Sequence, residues 1–115
     1  MAYDEGLAQR MRDDLADETV AERKMFGGLA FLIGGHMVCG VHRGGAMLRV
    51  GKAAYAAALE VPGVRPMLFT GRPMAGMVDV EAACMADETR RGALMAMALA
   101  AVKALPPKVA KARKG

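Results

Sequence analysis

The chain has 115 residues, 54% of them apolar, which suits one domain with a single core that needs neither disulfides nor a structural metal. It begins with acidic residues and has no apolar run near the roughly 20 residues of a membrane span, so the expectation is a soluble cytoplasmic protein without leader or membrane contact. Serine, asparagine and tryptophan do not occur and there are two cysteines, Cys39 and Cys84, which excludes a serine nucleophile, N-glycosylation and a disulfide scaffold.

The net charge of +4 is unevenly placed. Asp4, Glu5, Asp13, Asp14, Asp17 and Glu18 make the beginning acidic, and Lys103, Lys108, Lys111, Arg113 and Lys114 make the end basic. Residues 108–115 carry too little apolar surface to fold and are expected to form a disordered basic tail after a domain spanning 1–107. Such a tail reaches phosphates by charge alone, without base specificity.

In chain order, Leu7, Met11 and Leu15 recur every four residues and predict an amphipathic helix from Asp4 to about Asp17, with Asp4 and Glu5 in its first turn. Thr19 and Glu22 have capping-box spacing, yet Gly27 and Gly28 would fall in the second turn, so an extended segment is preferred. A first strand is expected from Arg23 to Ile33, bent or bulged at Gly27-Gly28. Gly34-Gly35 supplies a two-residue turn into a second strand, His36 to His42, and Arg43-Gly44-Gly45 leads into a third, Ala46 to Val50. The alanine-rich run Lys52 to Leu59 predicts a second helix. Pro62, Gly63 and Pro66 then forbid regular structure until strand four, Met67 to Thr70, and Gly71-Arg72-Pro73 turns the chain into strand five, Met77 to Glu81. Asp87 caps a last helix that runs to about Leu105 and stops at Pro106-Pro107.

The order αβββαββα with short connections predicts an α+β fold: a two-layer structure with a five-stranded antiparallel sheet. With Ile33 facing His36 and Phe31 facing Val38, the residues Ala30, Leu32, Met37 and Cys39 point to the opposite side. Helices cover one face of such a sheet, so an apolar second face implies a homodimer.

Three segments resemble a known family. Arg23-Lys24-Met25-Phe26-Gly27-Gly28 with Phe31, then Met47-Leu48-Arg49-Val50, then Phe69-Thr70-Gly71-Arg72-Pro73-Met74 with Met77-Val78-Asp79-Val80, are similar to the N-terminal domain of the TfoX/Sxy proteins. The likeness runs from the first helix to Leu105-Pro106-Pro107 and implies a secretion-chaperone-like αβββαββα sandwich. Those regulators assist transcription in competence development and carry a second, helical domain, so the resemblance is to the first domain standing alone. It brings no catalytic residues and no cofactor. Lys24, Met25, Phe26, Gly27, Gly28, Gly71, Arg72, Pro73 and Met74 are its motif positions, expected to be mainly structural.

The residues themselves offer little chemistry. His36, Cys39 and His42 resemble metal ligands in spacing, but on one strand the histidines lie roughly 20 Å apart and Cys39 faces the other way, so no metal site is expected. Both cysteines read as buried thiols, and Asp79 and Glu81 as a solvated strand face. The leading expectation is a non-enzymatic domain that binds an unidentified protein in transcription control. The alternative is a nucleic-acid accessory protein that uses Arg23, Lys24, Arg72, Lys108, Lys111, Arg113 and Lys114 as a basic surface. A small-molecule enzyme of unknown reaction is a further alternative, and would need a deep polar pocket that nothing in the sequence announces.

Overall fold

A computed structural model describes residues 3–25, 27–69 and 71–105. Its elements are α1 (Glu5–Asp14), β1 (Ala21–Met25), β2 (Gly28–Ile33), β3 (His36–His42), β4 (Gly45–Arg49), α2 (Gly51–Leu59), β5 (Val64–Phe69), β6 (Arg72–Glu81), α3 (Ala82–Ala86) and α4 (Glu88–Lys103). The fold is α+β. One antiparallel sheet has the order β1-β2-β3-β4-β6-β5, and the four helices share a core with one of its faces. Leu29, Phe31, Val41, Ala46, Leu48, Val78 and Val80 from the strands meet Leu7 and Met11 of α1, Met85 of α3, and Leu94, Ala98 and Val102 of α4 in that cluster.

The sheet has six strands where five are expected, and the two glycines after Met25 are the reason. Met25 pairs with Gly28, so the chain reverses between them and the expected bulged strand becomes a hairpin. Gly27 supplies the positive φ of 75° that the reversal needs. Gly28 answers a different demand: a Cβ there would lie 2.0 Å from the Val41 carbonyl oxygen. One glycine makes the turn, and the next lets β2 approach β3.

The β2–β3 hairpin pairs Ile33 with His36 as expected, but Phe31 pairs with Cys39, not Val38, because the register shifts between Phe31 and Leu32. The irregularity brings Cys39 to the core side beside Val38, and both are fully buried. The fourth expected strand starts earlier, at Val64, and Pro66 lies inside it. Proline is tolerated because β5 is an edge strand, where its missing N–H costs no ladder bond. Arg72 and Pro73 open β6 instead of forming a turn, since Phe69 already pairs with Arg72. Asp4 sits one step before α1 as its N-cap, its Oδ1 accepting from the N–H groups of Gly6 at 2.8 Å and Leu7 at 3.1 Å. Asp87 caps α4 as expected, and the short helix α3 before it is an addition to the sequence reading.

On the helix-free face the register lines up Arg23, Ala30, Gly40, Met47, Asp79 and Arg65 across all six strands. Of its apolar members Ala30 is 0% exposed, Leu32 7%, Met47 3% and Met77 6%, while Met25 and Met37 are half-buried. Gly40 explains part of this burial, for a Cβ on it would come within 2.8 Å of the Met47 Cε that lies over it.

Candidate binding surfaces

The β5–β6 hairpin reaches past the rest of the sheet. β4 pairs with β6 only from Met77 to Glu81, whereas β5 follows it back to Arg72. The stretch Arg72 to Ala75 therefore has a strand neighbour on one side alone. Its base is fixed where the Gly76 carbonyl, at a residue with φ of 79°, accepts the Val50 N–H at 2.8 Å. Beyond that anchor Gly71, Arg72 and Pro73 are exposed and Met74 is half-buried. Leu68 stands 60% exposed on β5, the most open large apolar residue among those described.

The motif positions thus divide. Gly27 and Gly28 build a hairpin and Met25 is half-buried beside them, whereas Gly71, Arg72 and Pro73 lie in the open on a projecting arm. Phe26 falls outside the described residues.

The cations do not gather into one patch. Arg23 and Lys24 are exposed on β1 and Arg72 on β6, with β2, β3 and β4 between them, roughly 19 Å of sheet at the usual strand spacing. Arg49 is committed to the Met37 carbonyl at 2.8 Å. Lys108, Lys111, Arg113 and Lys114 lie outside the described residues.

A polar network unforeseen in the sequence occupies the helix-free face. His42 Nε2 is 2.7 Å from Asp79 Oδ1 and 3.1 Å from the Ala46 carbonyl, while its Nδ1 accepts the Gly44 N–H at 3.0 Å. That pattern places the ring proton on Nε2, donating to Asp79 and Ala46, and leaves neither nitrogen free to act as a base. Arg65 Nε donates to Asp79 Oδ2 at 3.2 Å, and its Nη1 to Glu81 Oε2 at 3.3 Å. Asp79, with its side chain 23% exposed, is therefore held between His42 and Arg65, while Glu81, 54% exposed, lies on a solvated face as expected. The register of β4 against β6 and β5 makes these contacts, and the sequence gives no sign of that strand order.

Cys39 and Cys84 are both free and buried. Burial pushes the Cys39 thiol up to about 12 and also raises Cys84, so both stay protonated at neutral pH, unlike the thiolate a nucleophile requires. Among the described residues no group of three His, Cys, Asp or Glu side chains could hold a metal ion. No described helix is long and apolar enough to cross a membrane.

A family model described as "TfoX N-terminal domain" matches residues 13–102, from the end of α1 to the last turn of α4. The chain belongs to this family. Its match includes both the glycine hairpin and the projecting arm, and so takes in the whole sheet with α2, α3 and nearly all of α4. No curated protein and no solved structure matches the chain.

Proposed function

We propose that this TfoX N-terminal domain is a non-enzymatic binding module that acts through protein–protein contacts, as a co-regulator of transcription of the competence type, with the end of the β5–β6 hairpin as its contact surface. One observation carries the reading: Leu68, at 60% exposure, stands on a two-stranded extension beside exposed Arg72 and Pro73. A leucine in that position does nothing for the core, and its full burial against a partner gains about 1.5–3 kcal/mol. Arg72 adds a planar donor of the kind that recurs at interface hot spots. The protonated thiols and the fully engaged imidazole support a binding role over a catalytic one.

The test compares tagged wild-type domain with Leu68→Asp and Arg72→Ala in partner capture from the producing cell. Both variants should keep the wild-type urea midpoint, because both side chains are exposed, and lose the captured protein. Retention by both variants removes the reading. Salt-steep binding to random duplex DNA, strong near about 50 mM salt, would favour the nucleic-acid alternative.

A further inference from the structure

At the opposite edge of the sheet from Leu68, β1 presents one side of a five-residue strand to solvent. Among the described residues its outward N–H and C=O groups have no strand partner, which makes it a template for one more strand. The charges along it are unbalanced. Glu22 is gripped by Arg12, whose Nε and Nη2 donate to its two carboxylate oxygens at 2.6 and 3.0 Å, and Glu18 accepts from Lys103 at 2.7 Å. Arg23 and Lys24 have no such partner among the described residues, so the edge carries net positive charge.

Two concavities adjoin the strand. One, of ≈ 250 Å³, lies between α1 and β1 and is lined by Arg12, Leu15, Ala16, Glu18, Val20 and Glu22. The other, of ≈ 410 Å³, is lined by Tyr3, Lys24, Met25, Gly27 and Gly28. Side chains of an added strand alternate between the two faces. Those beside Glu22 and Lys24 fall toward the concavities, and the one beside Arg23 lies on the helix-free side.

We propose that β1 is a strand-addition site for an extended acidic segment of a partner protein, in which apolar residues alternate with glutamate or aspartate. The apolar residues enter the two concavities, and an acidic one pairs with Arg23. Charge complementarity argues for this occupant: with Glu22 held by Arg12, Arg23 and Lys24 are the charges along the edge without an ion-pair partner among the described residues, and an acidic strand answers them where a basic one is repelled; a second copy is an outcome that the test separates. The inference goes beyond the Leu68 surface and does not depend on it, since the two lie on opposite edges.

The experiment titrates the isotopically labelled full chain with a capped hexapeptide alternating valine and glutamate, read by amide NMR shifts. Shifts should concentrate at Ala21 to Met25 and at Leu15 and Ala16. Arg23→Glu, an exposed substitution that leaves the spectrum folded, should weaken binding by about tenfold. The same peptide with lysine for glutamate should bind at least as poorly to the wild type. Four outcomes overturn the proposal: no shifts at millimolar peptide, shifts centred away from β1, equal binding of the lysine peptide, or sedimentation showing that β1 is already taken by a second copy.

Discussion

Arg91 is the charged side chain that α4 buries, at 8% exposure, and its Nε donates to Asp14 Oδ2 at 2.8 Å while Nη1 donates to the Met85 carbonyl at 3.2 Å. One guanidinium thereby ties α4 to the end of α1 and to α3. Arg91→Ala strands the carbonyl and leaves Asp14 without its cation, and should cost about 2 kcal/mol, read as a lower urea midpoint; Arg91→Met, which keeps the packing, should cost less. The sequence contained a signal for this role, since Arg91 falls in phase with Leu94, Met95 and Ala98 on the buried stripe of α4. It contained none for the pairing of His42 with Asp79, which are 37 residues apart and meet only because β6 lies against β4. The Cys39 thiol makes its own prediction. Being a weaker acid when folded, it contributes stability that is intact below its ordinary value of 9.0 and erodes as pH rises toward about 12. At pH 8 the native protein should therefore resist alkylation at Cys39, and mass spectrometry should show the adduct only when denaturant is added.

At the scale of elements, the glycine hairpin after β1 separates two effects that a sequence pattern merges. Gly27→Ala meets open space but must hold a φ of 75°, so it should cost about 1 kcal/mol. Gly28→Ala drives a methyl into the Val41 carbonyl at 2.0 Å and should be the more damaging, by about 2 kcal/mol or more, with the extra loss appearing as weakened β2–β3 pairing. Thermal melts of the two variants side by side check the order. The same pair of glycines explains why strand existence was legible and strand number was not: both a bulge and a hairpin call for glycine, and only pairing across the sheet separates them. Pro66 misled for a related reason. A proline forbids a central strand but not an edge, and the position of β5 at the edge follows from sheet order alone. A weaker pH effect belongs to the link between α1 and β1. The hydrogen bond from Arg12 holds Glu22 below its ordinary carboxylate range, so the pair stabilises above that range and loses its contribution as pH falls through the depressed value. With side chains 34% and 37% exposed, Arg12→Ala should cost only about 0.5 kcal/mol near neutral pH, and that difference should vanish in acid-titrated melts.

For the whole molecule, the α+β class was legible because apolar periodicity switches between two and roughly four along the chain and glycines mark nearly every switch. The cover over the middle of the helix-free face was not, because a strand pattern shows which residues share a side but not that Met47 folds down over Gly40. Nor was the projecting arm, because nothing in the strand pattern around Leu68 shows that β4 ends before it. The order β1-β2-β3-β4-β6-β5 has one further consequence. β3 lies between two neighbours formed with short turns and beneath α4, so its amide protons should exchange with deuterium only when the entire domain opens. β1, held by one neighbour, should label far sooner, which means that whatever captures that strand acts where the molecule yields first.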